Sequence, residues 1–462
     1  MYVYRKIAIC PNLIQMKSTI IAFLTLFSIA ACSSQPQIDG MVLDAVPGSD
    51  AGNPNALINF DGKLYMQLSD TEFGSEVWAF DGKTLQRVTD IEPGNGHSVP
   101  ARFFVFKDNL YFTALQEEYG RELFMLDGDK AKLVKDIGGD RGSSRPTSLF
   151  AFGDRLVFAA NDQVSGFELW QWDESAVTLV ADLNEGSGSS NPRGFEDLNG
   201  VVYFSAEREE YGTELFSYDG SSVVLVSDLN PGSNGSRPLE ITRLGSHLYF
   251  SAYHPETGIE LFQFDGSTVT AAGDLIPGTE SSSPRDLKVI GDRLLFVANT
   301  PETGVELFSI KEGGAPELLA DIRPGERSSG PEQDFVFGDK LYFSADDGEH
   351  GLELWMWSEA TGVRMVGDLE TGSQGSDPHA FTALDDTWIY FSARTEQYGV
   401  EVWRTDGQTS EMLMDIWPGP NGSTPNDHGV LNNQVCFSAQ DGVHGRELFC
   451  VTHDKVTPII TR

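Results

Sequence analysis

Positive charge is scarce in this chain, and its scarcity excludes several classes of partner. The 462 residues contain 32 Lys and Arg against 69 Asp and Glu, a formal net charge of −37 at pH 7. Proteins bind nucleic acids mainly through Lys and Arg that displace counterions, so we expect no DNA or RNA partner. Cations, basic proteins and neutral glycans remain compatible with such a surface. Because 40% of the residues are apolar and 11% are aromatic, we expect a folded core and not an acidic disordered tail.

Acidic residues are missing altogether from residues 1–31. This segment has three basic side chains and the apolar run 20–27, and small residues then lead to Cys32. A basic start, a short apolar core and a small-residue exit are typical of a secretory signal, and the run is too short to span a bilayer. The sequence leaves open whether the signal starts at Met1 or at Met16.

The residues Ile29-Ala30-Ala31-Cys32 resemble the lipobox of bacterial lipoproteins. The resemblance implies that Cys32 is diacylated and becomes the new N-terminus, and Ser33 after it favours the outer membrane. We therefore expect a signal peptide over 1–31, a lipidated cysteine with a tether over 32–40, and membrane contact only through the lipid. An ordinary signal peptide with an incidental cysteine is the alternative.

Helical periodicity is absent after residue 40, and an internal repeat is found instead. The segment Asp-(Ile/Leu)-x-Pro-Gly-x-x-Gly-Ser-x-Pro recurs nine times, with variations, at spacings of 46 or 47 residues. The last copy starts 47 residues before the C-terminus, so we expect nine full units. The first aspartates are Asp44, Asp90, Asp136, Asp182, Asp228, Asp274, Asp321, Asp368 and Asp415.

Each unit predicts four short strands. In the second copy these are 102–106, 109–114, 122–126 and 131–135, all rich in Phe, Tyr, Leu or Val. The pair Asp127-Gly128 and its counterparts predict tight type I′ hairpins, in which both residues have positive φ. Four antiparallel strands every 40 to 50 residues are the signature of propeller blades.

We therefore predict an all-β protein, a β-propeller of nine four-stranded blades over residues 41–462. Nine blades exceed the usual four to eight, and the sequence leaves a ring of eight open. Residues 41–43 and 456–461 both look like an outermost strand. Either one is able to close the ring, and a final blade of five strands is the other arrangement.

Three segments give the chain a likeness to a known repeat class. They are Glu353-Leu354-Trp355, the run 401–407 that reads Glu-Val-Trp-Arg-Thr-Asp-Gly, and the run 415–419 that reads Asp-Ile-Trp-Pro-Gly. With them the chain resembles bacterial ELWxxDGT-repeat proteins over essentially all of 41–462. The threonine after Asp-Gly is missing in every copy, and Phe often replaces Trp. The resemblance implies propeller-like blades in secreted or surface proteins, and it implies no activity.

One glutamate is invariant in all nine copies, two residues after a glycine, and a serine two residues before a proline recurs in eight. A residue present in every blade does not make one asymmetric active site. We predict a structural hydrogen-bond relay in which the glutamate accepts from loop amides or from the serine hydroxyl. The alternative is a set of calcium sites, because Asp-, Gly- and Ser-rich loops supply oxygen ligands. Its candidate ligands are Asp90, Asp136, Asp182, Asp228, Asp274, Asp321, Asp368 and Asp415.

Cysteine is rare, and the last unit alone has a pair of them, Cys436 and Cys450. They fall almost opposite each other on the second and third predicted strands. In an oxidising compartment a disulfide is the favoured interpretation, with two buried thiols as the alternative.

A third group of positions varies from copy to copy, in the loop between the second and third strands. That loop and the Pro-Gly loop are predicted to emerge on the same side of the ring. The residue before the invariant glycine is aromatic or histidine in six copies, and carboxylates surround it. The six candidate binding residues are Phe73, Tyr119, Tyr211, His350, Tyr398 and His444. The alternative is that these rings only pack on the adjacent loop.

The sequence favours binding over catalysis. The copies stay in register, and there is no nucleophile elbow, zinc-protease motif or phosphate loop. We name no catalytic residue. We expect a monomeric binding platform for an envelope or extracellular protein or polysaccharide, at the outer membrane, with calcium as the one cofactor considered. A polysaccharide lyase or glycoside hydrolase on the propeller is the second hypothesis, and a structural envelope lipoprotein is the third.

Overall fold

The computed structural model describes residues 41–43, as backbone alone, and residues 51–452. The predicted signal 1–31, Cys32, Asp44 and the segment 456–461 lie outside the described residues. Within the described ranges all regular structure is β-strand, so no helix there is long and apolar enough to cross a membrane.

The 36 strands follow the repeat, four to a blade. They are β1 (Met41–Leu43); in blade 1, β2 (Asn55–Phe60), β3 (Lys63–Asp70), β4 (Gly74–Phe80) and β5 (Leu85–Arg87); in blade 2, β6 (Ala101–Phe106), β7 (Asn109–Gln116), β8 (Gly120–Asp127) and β9 (Lys130–Lys135); in blade 3, β10 (Thr147–Phe152), β11 (Arg155–Asn161), β12 (Phe167–Trp172) and β13 (Val177–Ala181); in blade 4, β14 (Arg193–Leu198), β15 (Val201–Arg208), β16 (Gly212–Tyr218) and β17 (Val223–Ser227); in blade 5, β18 (Leu239–Leu244), β19 (His247–His254), β20 (Gly258–Phe264) and β21 (Val269–Gly273); in blade 6, β22 (Arg285–Ile290), β23 (Arg293–Thr300), β24 (Gly304–Lys311) and β25 (Glu317–Ala320); in blade 7, β26 (Glu332–Phe337), β27 (Lys340–Asp346), β28 (Leu352–Ser358) and β29 (Gly362–Gly367); in blade 8, β30 (His379–Ala383), β31 (Ile389–Thr395), β32 (Gly399–Thr405) and β33 (Ser410–Met414); in blade 9, β34 (Asn426–Leu431), β35 (Gln434–Gln440) and β36 (Arg446–Thr452).

Blades 1–8 are antiparallel sheets of four consecutive strands, and blade 9 has the order β1-β36-β35-β34. The N-terminal strand β1 is therefore the outermost strand of the last blade, with Met41 opposite Phe449 and Leu43 opposite Leu448. The prediction of an all-β propeller with nine four-stranded blades is confirmed. Of the two segments proposed to close the ring, the one at 41–43 does so.

Nine hydrophobic clusters hold the ring together, one between each pair of neighbouring blades. The closing cluster joins Leu64, Met66 and Trp78 of blade 1 to Leu431 and Leu448 of blade 9. Because blade 9 packs on blade 1 in this way, the ring has nine blades and not eight. Each sheet buries both faces only by stacking, which is why the repeat needs closure.

The first strand of each blade lies nearest the axis, because first strands of successive blades are mutual neighbours around the ring. The second residue of every first strand has positive φ, and the register with the next strand shifts there. In blade 2 this residue is Arg102, with φ of 55°. A β-bulge thus interrupts side-chain alternation at the same place in every blade.

The hairpin turns differ from the prediction. The loop after Asp81 closes with the N–H of Asp81 donating to the carbonyl of Thr84 at 3.2 Å, so Gly82 and Lys83 are the central residues. Gly82 has φ of 93°, whereas Asp81 and Lys83 do not have positive φ. The predicted type I′ turn, with Asp-Gly at its centre, is therefore wrong; positive φ only at the first central glycine is typical of type II′. The Asp81 carboxylate instead accepts the N–H groups of Lys83 and Thr84 at 2.8 and 2.7 Å.

Candidate functional site

The invariant glutamate is the centre of a buried hydrogen-bond network at the start of the third strand. In blade 2, Glu122 has no solvent exposure and accepts hydrogen bonds from the Ser144 hydroxyl and from the Ser144 N–H at 2.8 Å. The N–H groups of Ile137 and Gly138, in the Pro-Gly loop, donate to the same carboxylate at 3.2 Å. One carboxylate therefore satisfies four donors where the chain leaves the fourth strand.

The invariant glycine before this glutamate permits close approach of two loops. Gly120 has φ of 75°, and a Cβ there would lie 2.3 Å from the carbonyl oxygen of Gly142. Only glycine fits without moving the backbone. The loop between strands two and three therefore touches the Pro-Gly loop of the same blade. We call the side of the ring that carries both loops the loop face.

The same glutamate–serine pair recurs in seven consecutive blades, and we call the set the relay. The pairs are Glu122–Ser144, Glu168–Ser190, Glu214–Ser236, Glu260–Ser282, Glu306–Ser329, Glu353–Ser376 and Glu401–Ser423. Burial raises the pKa of all seven carboxyl groups against the opposing effect of their donors, and it raises the pKa of Glu401 to about 7. The predicted relay is confirmed as a structural network.

The two ends of the repeat array depart from this pattern. In blade 1, the Thr89 hydroxyl donates to Glu76 at 2.7 Å, while the Ser98 hydroxyl donates to the carbonyl of Ser75 at 2.9 Å. In blade 9, the N–H of Gly52 donates to Glu447 at 2.8 Å, which links residues far apart in sequence. The glutamate is kept where its partner changes, so an acceptor at this position is what the blade requires.

The aspartates proposed as calcium ligands lie next to the relay, one in each Pro-Gly loop. Asp182 and Asp321 each accept a glycine N–H through Oδ2, at 3.3 and 3.2 Å. Their Oδ1 atoms, and that of Asp415, are buried without a hydrogen-bond partner. These oxygens suit a cation or a water molecule. Within 51–452, however, no three acidic, histidine or cysteine side chains converge as a metal site, so further ligands would be backbone carbonyls.

Cys436 and Cys450 are directly opposite in the β35–β36 pair and form a disulfide, with the two Cα atoms 4.1 Å apart. Cys436 is fully buried in the cluster that closes the ring. The bond therefore lies in the blade that completes the propeller.

The six candidate binding residues lie on the loop face, where the structure gives most of them a local partner. The Arg87 guanidinium lies 3.6 Å from the ring centroid of Phe73, and that of Arg208 lies 5.8 Å from Tyr211. Both rings are half-buried. The Tyr119 hydroxyl donates a hydrogen bond to Glu118. This bond and the charge of the carboxylate raise the pKa of Tyr119. The three rings are partly exposed, and an arginine of the same blade lies over Phe73 and over Tyr211.

The two histidines are held by aspartates of the same loop. Nδ1 of His350 is 2.8 Å from Asp347, which raises the pKa of that imidazole. Nδ1 of His444 is 2.6 Å from Asp441, and its side chain is only 3% exposed. His350 therefore reaches the surface, whereas His444 lies beneath it.

Clefts on the loop face lie between the Pro-Gly loop of one blade and the loop between strands two and three of the next, as between blades 3 and 4, 4 and 5, and 7 and 8. The variable residue before Pro-Gly contacts the next blade across the cleft. Glu92 accepts the N–H of Glu117 at 2.7 Å, and Arg323 pairs with Asp346 at 2.7 Å. Tyr398 lines one such cleft of about 440 Å³ together with Glu370. The clefts of the loop face thus differ in their lining from one pair of blades to another.

A second variable region, which the sequence analysis missed, surrounds the axis. The first strands of blades 1–3 carry one charged residue, Arg102. The first strands of blades 4–7 carry ten, four basic and six acidic. We call this set the axial arc: Arg193, Glu196, Asp197, Glu240, Arg243, Arg285, Asp286, Lys288, Glu332 and Asp334.

Ion pairs and a hydrogen bond between neighbouring blades connect the residues of the axial arc to one another. Arg243 lies 3.9 Å from Asp197, and Lys288 lies 3.0 Å from Asp334. Glu240 accepts the N–H of Leu287 at 2.9 Å, which joins blades 5 and 6.

Two carboxyl groups in the arc are perturbed. Burial and the nearby Asp334 raise the pKa of Asp286, and burial raises the pKa of Glu196 against the lowering effects of the Asp197 N–H and of Arg243. The sequence contained an indication of the axial arc, since Asp334 stands where most other blades have Phe, Leu or Ile.

No family model matches the chain, and no curated protein matches it significantly. Among solved structures it is similar to a puromycin-hydrolyzing peptidase from Mycobacterium tuberculosis, at 15% identity and a TM-score of 0.41, covering 74% of this chain and 57% of that one. It is similar to an acylaminoacyl peptidase from Pyrococcus horikoshii, at 14% identity and a TM-score of 0.37, with the same coverage. The β-propeller domain of the Trilobed protease from Pyrococcus furiosus has 11% identity and a TM-score of 0.36, covering 68% of this chain and 95% of that one. The chain spans little more than half of the two peptidases, and likeness at this level says nothing about its activity.

Proposed function

We propose that the chain is a lipid-anchored outer-membrane protein of the ELWxxDGT-repeat class, whose propeller binds a glycan or a protein through its loop face. The observation that carries the proposal is the division of labour on that face. The residues common to all blades are used in the relay, whereas the variable residues line the clefts. Partly exposed aromatic rings beside carboxylates suit stacking on sugars and hydrogen bonding to their hydroxyl groups.

The test is thermal unfolding of the chain from residue 33, which contains every strand that the structure describes. It is measured with a panel of envelope and algal polysaccharides, with calcium and with EDTA. A ligand that binds only the folded state raises the melting temperature by mass action. We expect a shift with at least one glycan. No shift with any glycan contradicts glycan binding and directs the search to a protein partner.

Calcium is a separate part of this proposal. The orphaned Oδ1 atoms of Asp182, Asp321 and Asp415 support it. A bound ion predicts a lower melting temperature in EDTA that calcium restores and magnesium does not, because Mg²⁺ requires a smaller octahedral site. An unchanged melting temperature in EDTA contradicts it.

A carbohydrate-active enzyme is the second candidate, and the axial arc favours it. A carboxyl group with a perturbed pKa is a candidate for acid–base catalysis, and Asp286, whose pKa is raised, lies beside the second carboxyl group of Asp334. Catalysis predicts that Asp286→Asn removes turnover of a cleaved glycan, while Glu326→Gln, an exposed carboxyl on the loop face, does not. If no glycan that binds is cleaved, this candidate fails and the binding proposal stands.

A further inference from the structure

The cleft between blades 4 and 5 differs from the other loop-face clefts described above. It lies between the Pro-Gly loop of blade 4 and the loop between strands two and three of blade 5, and its volume is about 600 Å³. The clefts between blades 3 and 4 and between blades 7 and 8 have about 440 Å³ each. The large apolar side chains of the cleft between blades 7 and 8, Leu369, Tyr398 and Trp403, are all partly buried, whereas this cleft presents three large apolar side chains that are exposed.

These three side chains are Leu239, Tyr253 and Ile259, which are 51%, 39% and 37% exposed. Tyr253 is directly opposite Ile259 in the β19–β20 pair, and Leu239 is opposite Ser251, two residues before Tyr253. The three side chains therefore form one patch on the same face of the sheet. Exposed apolar side chains that adjoin one another, unlike ones scattered singly, are a mark of binding sites.

The patch is a feature of blade 5 and not of the repeat. In blade 3 the corresponding positions hold Thr147, Asn161 and Phe167, so two of the three are polar. The fold is the same in both blades, which shows that apolar residues at these positions are not needed to build the cleft.

A cation stands at the edge of this patch. Arg237 is exposed and directly follows Ser236, whose carbonyl accepts the N–H of Tyr253 at 2.8 Å. The Arg237 guanidinium makes no hydrogen bond or ion pair with any residue that the structure describes. In a chain with a net charge of −37, an arginine without an acidic partner is available to a carboxylate from outside, which it matches with two parallel N–H groups.

We propose that this cleft binds an apolar monocarboxylate. The apolar body covers Leu239, Tyr253 and Ile259, and the carboxylate pairs with Arg237. The acidic surface around the cleft disfavours ligands with several negative charges. The site uses none of the six loop-face residues assigned above, so it stands or fails apart from the proposed glycan or protein binding.

The probes are N-acetyl-L-leucine, its uncharged analogue N-acetyl-L-leucinamide and acetate, titrated by calorimetry into the chain from residue 33. We expect N-acetyl-L-leucine to bind at least about tenfold more tightly than either analogue. The amide lacks the carboxylate that pairs with Arg237, and acetate lacks the apolar body that covers the patch. Equal binding of the amide, or no binding of N-acetyl-L-leucine at about 10 mM, would overturn the proposal.

The variants are Arg237→Gln and Tyr253→Ser, and the matched control is Arg145→Gln. Arg145 lies in the same Ser-Arg-Pro sequence with positive φ, but beside Thr147 and Asn161. We expect both cleft variants to weaken N-acetyl-L-leucine binding about tenfold, with unchanged melting temperatures, and the control to bind as the wild type does. An equal loss in Arg145→Gln would show a general charge effect and contradict the site.

Discussion

The buried invariant glutamate and the first strand near the axis both occur once in every blade, yet they vary in opposite ways. The buried glutamate is kept in all nine blades, even where its donor changes from the serine of the relay to threonine or to a backbone N–H. The first strands keep their bulge but change from nearly uncharged in blades 1–3 to strongly charged in blades 4–7. The comparison teaches that uniform positions serve the blade, whereas local departures are where a particular function is to be sought.

The largest expected effect comes from breaking the relay. Glu401→Ala leaves the Ser423 hydroxyl and three N–H groups without an acceptor in a buried site. We expect it to lower the free energy of unfolding by about 3–5 kcal/mol, measured by denaturant unfolding. The control is Glu326→Ala, an exposed side chain, which should change stability by less than about 0.5 kcal/mol. An equal loss of unfolding free energy in the two variants would contradict a structural role of the relay.

The disulfide makes blade 9 unlike blade 8, where Tyr390 and Arg404 occupy the same paired positions. Replacing both Cys436 and Cys450 by Ala should cost about 2–3 kcal/mol, the range for a short closed loop. Because the bond lies in the cluster that closes the ring, we expect the loss in thermal unfolding of the whole propeller. A double variant as stable as the wild type would contradict this.

The relay also predicts the pH dependence of stability. Burial raises the pKa of Glu401 to about 7 from its ordinary value of 4.5, so folding favours the protonated carboxyl. Its contribution is fully present below pH 4.5 and is lost as the pH rises through about 7. Turn aspartates act oppositely: hydrogen bonds lower the pKa of Asp173 and Asp219 to about 2, and their contribution is lost only as the pH falls below 3.8.

We therefore expect greater stability at pH 5 than at pH 8, measured by denaturant midpoints. General repulsion in an acidic protein acts in the same direction, so the specific readout is the variant Glu401→Gln. The denaturant midpoint of this variant should change less between pH 5 and pH 8 than that of the wild type does. If the midpoint of Glu401→Gln changes as much as that of the wild type, titration of Glu401 does not contribute to the pH dependence.

The smallest effect on stability is expected in the axial arc. Asp197 and Arg243 are 38% and 43% exposed and 3.9 Å apart, so Asp197→Ala should cost less than about 1 kcal/mol. Asp334→Asn should lower the raised pKa of Asp286, because the neighbouring negative charge is removed. NMR titration of Asp286 measures this, and a pKa that does not move would show that burial alone perturbs the group.

Most of the fold was predictable from the sequence, because one repeat of constant length determines strand number, strand order and blade packing. The relay was predictable for the same reason, since nine copies act as an internal comparison. The closing strand was not, because 41–43 and 456–461 carry similar patterns and only packing chooses between them. The hairpin type was wrong because Asp81 caps the turn with its carboxylate and does not adopt positive φ itself.

The variable regions were harder to predict. The loop-face residues were found from their position, but whether a ring such as that of His444 is exposed depends on the loop around it. The axial arc was missed because the bulge interrupts the alternation by which inward and outward side chains are distinguished. Leu239, Tyr253 and Ile259 all belong to blade 5, but only the strand register brings them together on one exposed face.

The central claim is that the relay supplies stability while the loop face supplies binding. Its most direct test is thermal unfolding of the triple variant Tyr119→Ser, Tyr211→Ser and Tyr398→Ser, with and without the ligand that stabilises the wild type. We predict an almost unchanged melting temperature without ligand and loss of the shift that the ligand produces. A triple variant that keeps the full shift, or that loses as much stability as Glu401→Ala, would contradict the account.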